Sequence, residues 1–343
     1  PAGEAGQDNS GTQAPGGNGG NAGNGGNAST NGARSWAGAI FFGENCQVDI
    51  SDTVIAYNAT TTNVQTEPYP GGEGGVAGAP GNDGADGLDG LPGLPEWSYT
   101  STHGGGNYYD LDSKVRLNKT TISFNASEQN DGGGEYYAEG SSAVLNQSIF
   151  NGNTANYGGG QFYDPCCTSE IIDCDYDENI ARLDGGGLYV WYKCALNIDN
   201  SRFTENSASV SGGGLYGGGA WDSEAFRWFN ESNIKIEDSR FFGNTASFGG
   251  GLYWHGEDSE VAVSYSIISD NMSGYGGGLY FSRGDPKITG CTIKNNIAEA
   301  SIIDPSAIDP FTGMVQPIPG AVTTYGGGAG VFCWSSDAKF ESS

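Results

Sequence analysis

Basic residues are scarce in this chain. Only 14 Lys and Arg stand against 41 Asp and Glu in 343 residues, a formal charge of −27. Such a surface repels phosphate backbones, which excludes nucleic acid as a partner. No run of about 18 apolar residues occurs, so no helix of this chain spans a membrane. Histidine appears twice, at His103 and His255, with no Cys or His cluster beside either. A zinc site and a Ser-His-Asp arrangement therefore lack support. No secretory leader is visible, and a first residue Pro1 reads as a processed or excerpted chain.

Glycine is abundant, with 60 residues spread along the chain. Eight Gly-Gly-Gly triplets begin at Gly104, Gly132, Gly158, Gly185, Gly212, Gly249, Gly276 and Gly326. Each follows an Asn: Asn58, Asn125, Asn153, Asn179, Asn206, Asn244, Asn271 and Asn296. Where nothing is inserted the period is 25 to 28 residues. Three residues before each Asn stands a large apolar or aromatic residue, from Ile55 through Phe150 and Phe203 to Ile293. Eight before stands an aliphatic one, from Ile50 through Ile171 to Ile288, and five before stands a small one, Thr53 through Cys174 to Cys291. A small residue also follows two positions after each Asn. Polar residues fill the gaps, a period of two that means short strands.

Strands this short bury a face only if successive units stack, which aligns like residues about 4.8 Å apart. The expected fold is an all-β, right-handed parallel β-helix of eight to nine coils, with three strands and three turns per coil. The triplets supply positive φ and close backbone approach. Asn125, Asn153, Asn179, Asn206, Asn244, Asn271 and Asn296 form an amide ladder with Asn58 at its foot. Four residues past each triplet start stand Tyr108, Tyr136, Phe162, Tyr189, Tyr216, Tyr253 and Tyr280, an aromatic stack that Gly330 interrupts in the last unit.

The motifs Phe203-Thr-Glu-Asn206, Phe241-Phe-Gly-Asn244 and Phe150-Asn-Gly-Asn153, with Gly-Gly-Gly-Leu-Tyr at 185, 212, 249 and 276, resemble the repeats of the chlamydial polymorphic membrane proteins. The resemblance covers roughly residues 37 to 343 and implies a right-handed β-helix at a cell surface, in adhesion or assembly. Here the third small residue is Gly rather than Ala, and no outer-membrane barrel follows.

The expected organisation is a Gly-rich segment over 1–36 and a β-helix over 37–343, with inserts at 61–103, 217–233 and 299–325. Residues 72–95 read as eight Gly-x-y triplets, a collagen-type pattern, and 16–27 keep a three-residue period. The two segments are expected to pack together, or against copies in other subunits, as a polyproline-II or polyglycine-II layer, with plain disorder as the alternative. The 217–233 insert carries Trp221, Phe226, Trp228 and Phe229, read either as a docking pad or as a cover for the helix wall.

Seven Cys and several Asn-x-Ser/Thr sequons point outside the cytosol. Cys167 and Cys194 hold equivalent places in adjacent coils, which suits a disulfide. Asn27, Asn118, Asn146 and Asn230 are the glycan candidates, since the ladder hides Asn58, Asn125 and Asn271. Asp173, Asp175 and Asp177 share an outward face, either a calcium site or a solvated acidic stripe. No cofactor is expected beyond that calcium and N-linked glycans. The leading functional expectation is a non-enzymatic structural subunit of an extracellular fibre, appendage or cell-surface layer, whose partners are copies of itself. A surface adhesin binding glycans or other surface proteins comes second, and a polysaccharide lyase or hydrolase third.

Overall fold

The computed structural model describes residues 34–61, 101–128, 130–223, 227–299, 328–334 and 338–341. The chain divides into two units, one holding Ser35–Thr61 and Thr102–Ser343, the other Pro1–Arg34 and Thr62–Ser101. The described residues of the first form the β-helix. Asn27, the Gly-x-y run and nearly all of both the Gly-rich segment and 299–325 lie outside the described residues.

Most described coils carry four short parallel strands where three are expected. In the coil opened by Gly158 they are Gln161–Tyr163, Thr168–Ile172, Asp175–Asp177 and Ile180–Asp184, here called sheets 1 to 4. Sheets 1 and 2 hold nine strands each and sheet 3 holds eight. Sheet 4 has five strands, and single-residue bridges through Thr245 carry it to the Met272–Ser273 and Ile297–Ala298 pair. Neighbouring strands keep register, as in Phe162 opposite Tyr189 and Ile171 opposite Ile198, with a shift in sheet 4 between Ala155 and Tyr157. Nine coils rise about 40 Å at one strand spacing per coil.

The extra corner has a simple cause. One residue in the left-handed region turns the chain, and the coil uses four: Gly158 (φ +63°), Cys166 (+64°), Asp173 (+53°) and Glu178 (+52°). After each of the last three comes an inward residue with a short side chain, Cys167, Cys174 and Asn179, all fully buried. Where such residues carry oxygen, that oxygen accepts an N–H from the coil before. Ser201 Oγ accepts Cys174 N at 3.1 Å, and Ser141 Oγ accepts Ser113 N at 3.2 Å. The corner thus satisfies its own backbone, which buried peptide groups require.

The glycine corner is tighter. A Cβ on Gly159 would stand 2.4 Å from Gly186 O and 2.6 Å from Ile180 O. The last unit shifts the expected register: Gly328 takes the positive φ, and Gly330 pairs in the place of Gly278. Phe332 then stacks on Tyr280 at 4.9 Å, so the aromatic column continues where Gly330 was expected to break it.

The interior holds the aliphatic columns of sheet 2 and the apolar column of sheet 3, with Leu145, Ile171, Ile198, Phe150, Phe203 and Phe241 fully buried. Each such side chain is worth roughly 1.5–3 kcal/mol. The predicted tyrosine column forms a separate cluster on the other face of sheet 1. From Phe41 to Phe332 it stacks nine rings, with centroids 4.6–5.3 Å apart.

Candidate functional site

The Asn ladder runs without a gap from Asn58 to Asn296. At each rung from Asn125 on, the Oδ1 accepts both the backbone N–H and the Nδ2 of the Asn one coil earlier, and the Nδ2 reaches a carbonyl of that coil. For Asn179 these are Asn153 N at 3.1 Å, Asn153 Nδ2 at 3.0 Å and Phe150 O at 2.8 Å. These amides are committed to structure.

The outer face of sheet 3 is open. Its register places Asp175, Arg202 and Arg240 in one column and Asp177, Thr204 and Phe242 in the next. Two depressions of about 360 and 500 Å³ meet there, and both include Asp175, Arg202 and Arg240 in their walls. Arg202 grips Asp175 through two bonds of 2.6 Å, which raise its guanidinium pKa. Asp173 accepts Asn200 Nδ2 at 2.6 Å, and Asp177 accepts Asn151 Nδ2 at 3.4 Å. The three aspartates of the calcium expectation thus face donors on neighbouring coils. Among the described residues no group of three or more His, Cys, Asp or Glu is placed to hold a metal ion. The Arg202–Arg240 juxtaposition was missed, although both residues sit four positions before their ladder Asn.

Two expectations are corrected. Cys167 and Cys194 occupy adjacent coils, but both are free thiols. The Sγ of Cys167 is directed at Ala138 O (3.3 Å) and that of Cys194 at Asp164 O (3.2 Å). Each points to the coil before it, so the two sulfurs are parallel and do not meet, and burial pushes the Cys194 thiol up to about 12. Asn230 is not a glycan acceptor in this fold. It is fully buried, and its Nδ2 donates to His255 O at 2.9 Å. Asn118 and Asn146 are half-buried neighbours joined by an Asn146 Nδ2 to Asn118 Oδ1 bond of 3.1 Å.

The 217–233 insert forms an antiparallel hairpin, Ala220–Asp222 against Arg227–Phe229. Phe229 packs edge-on to Tyr192 and Trp228 edge-on to His255, while Trp221 stays 47 % exposed. Phe226 lies outside the described residues. The hairpin therefore covers the wall with one arm and shows one ring to solvent.

A polar centre inside the tube was also missed. The column one residue before the outer tyrosines reads Asn107, Glu135, Gln161, then Leu188, Leu215, Leu252 and Leu279. The first three point inward and are fully buried. Glu135 accepts Tyr109 Oη (2.7 Å) and Asn107 Nδ2 (3.1 Å) on one oxygen, and Tyr137 Oη (2.6 Å) and Gln161 Nε2 (2.8 Å) on the other. Burial raises its pKa, and the four donors oppose that rise. Outside the tube, burial pushes Asp164 up to about 6 against the Tyr136 hydroxyl that donates to it. Asp131 is likewise raised by burial, with His103 Nδ1 at 3.4 Å opposing the rise.

No curated protein and no solved structure gives a significant match. A family model described as a right handed beta helix region matches residues 112–342, about two thirds of the chain. The parallel register of all four sheets agrees with it, and the chain belongs to the right-handed β-helix family.

Proposed function

We propose that this protein is a non-enzymatic structural subunit of an extracellular fibre, appendage or cell-surface layer, whose partners are copies of itself. The fold alone serves structural, adhesive and enzymatic proteins alike, so the argument rests on where the side chains are spent. The observation that carries it is the unbroken axial ladder. The Asn rungs join eight successive coils and the nine-ring column all nine described ones, binding each coil to the next. Such wiring makes a stiff rod of repeated nearest-neighbour contacts, the property a fibre element needs. The net charge of −27 keeps lateral contacts selective through self-repulsion, and that repulsion weakens with salt.

Negative-stain imaging of the purified chain across salt concentrations tests this. Fibres or sheets that grow as salt screens the charge support it; dispersed single rods under every condition refute it. A second reading, a surface adhesin, is favoured by the open face of sheet 3, where Arg240 stands beside Phe242 with no carboxylate paired to it among the described residues. Binding to arrayed glycans or surface proteins that is lost in Arg240→Ala would favour this second reading over the first.

A further inference from the structure

The interior of a stacked coil is best filled by leucine, and from Leu188 onward the inward column of sheet 1 is leucine at four successive coils. Two coils before Leu188 it holds a carboxylate, Glu135. Burying a carboxylate costs several kcal/mol unless its partners compensate, so Glu135 calls for a purpose that leucine cannot serve. Its partners indicate one. Tyr109 and Tyr137 sit on adjacent coils with rings stacked at 4.8 Å and 24°. Their hydroxyls donate to different oxygens of the same carboxylate, Tyr109 to Oε1 and Tyr137 to Oε2. Two stacked phenols sharing one base is the arrangement that lets a proton leave each ring as an electron does.

We propose that Tyr109 and Tyr137 form a redox-active pair that accepts oxidising equivalents from one-electron oxidants, with Glu135 as the shared proton acceptor. The oxidant removes one electron from Tyr137 and is itself reduced by one. The Tyr137 hydroxyl proton moves along its hydrogen bond to Glu135 Oε2, leaving a neutral tyrosyl radical and a carboxylic acid. The radical then passes to Tyr109. An electron crosses from the Tyr109 ring to the Tyr137 ring, the Tyr109 proton moves to Oε1, and Oε2 returns its proton to Tyr137. Charge and atoms balance at every stage, and no proton leaves the tube.

The pair is bounded. Below it Phe42 stacks on Tyr109 at 5.1 Å and has no hydroxyl. Above it Tyr163 stacks on Tyr137 at 4.6 Å, but its hydroxyl meets Ser169 Oγ, which is not a base. Electrons leave the pair through the outer column, because Tyr108 and Tyr136 are the chain neighbours of Tyr109 and Tyr137. The half-buried Trp36 touches Tyr108 at 5.0 Å and gives electrons an exit from that column to an oxidant near solvent. The pair requires only the coil and stands whether or not the protein builds fibres.

The test is flash photolysis of the full chain with a photo-oxidised ruthenium tris-bipyridine complex as oxidant, followed by tyrosyl absorbance and electron paramagnetic resonance. The wild-type chain should form a tyrosyl radical whose formation slows in heavy water. Glu135→Gln should lower its yield at least about tenfold. The double variant Y109F/Y137F should abolish the long-lived species, and Tyr163→Phe should leave it in place. If Glu135→Gln fails to fold, the double variant, which keeps both amide donors to Glu135, carries the test. Equal yields in wild type and the double variant would put the radical on a surface ring such as the 79 % exposed Tyr57 and overturn the proposal. A rate indifferent to heavy water would overturn it as well.

Discussion

Replacing Asn179 with alanine isolates one rung of the ladder in the middle of the rod. Asn179 is fully buried. Its removal leaves the N–H of Asn153 and the carbonyl of Phe150 without those partners, at 3.1 and 2.8 Å in the native coil. Each buried, unsatisfied backbone group costs about 1–3 kcal/mol, so the pair costs roughly 2–6 kcal/mol. The vacated volume adds to that. Because each coil touches only its neighbours, the loss should be local. Urea denaturation should show a midpoint lowered by that amount divided by the wild-type m-value. Native-state hydrogen exchange should show faster exchange in Ile149–Asn151 and Asp175–Asp177 than in Leu279–Ser282. The comparator is Asn197→Ala, an exposed residue on sheet 2 that should cost no more than about 0.5 kcal/mol. If Asn179→Ala is as mild as Asn197→Ala, the ladder is decoration and the reasoning fails.

Three further outcomes follow. Asp164 has its pKa raised from an ordinary 3.8 to about 6, so the folded chain prefers its protonated form; its contribution to stability is fully present below pH 3.8 and is lost as pH climbs through about 6, a change of about 3 kcal/mol. Asp164→Asn should flatten the stability profile over that window, and an unchanged slope would count against the assignment. Gly159→Ala meets two carbonyls within 2.6 Å and should prevent native folding, whereas Gly330→Ala meets only Ile293 Cγ2 at 3.2 Å and should fold, as circular dichroism and melting will show. Mass mapping under non-reducing conditions should find Cys167 and Cys194 unlinked, and Cys167→Ser should be tolerated because Ser141 fills the same place one coil earlier.

The columns of the coil were legible because stacking demands identity at each level. Ile171 and Ile198, or Phe203 and Phe241, can be aligned by eye once the Asn sets the register. The fourth strand was not legible. Its corners are made by single residues such as Glu178 and Asp173 in the left-handed region, and neither Gly nor Pro announces them. The run Gly-Gly-Gly-Ala-Gly from 326 admits two registers, and only the stacking of Phe332 on Tyr280 selects the later one. Asn230 was misplaced because the hairpin before it displaces the count, while its neighbours in space, His255 and Glu257, come from the next coil. The acidic residue at 135 is one of 41 Asp and Glu, and its type alone does not set it apart. Its inward position follows from Tyr136 facing out, a consequence of strand alternation that the outer column already implied. The sheet 3 face was readable in principle, since register alone puts Arg202 beside Arg240.

The central claim is that equivalent side chains of successive coils lie directly over one another and bond along the axis. An experimental structure at atomic resolution measures this in the ladder itself. The account predicts Asn153 N within about 3 Å of Asn179 Oδ1, and the same contact repeated from Asn125 through Asn271. Ladder amides of adjacent units turned to solvent, or separated by more than one strand spacing, would contradict it.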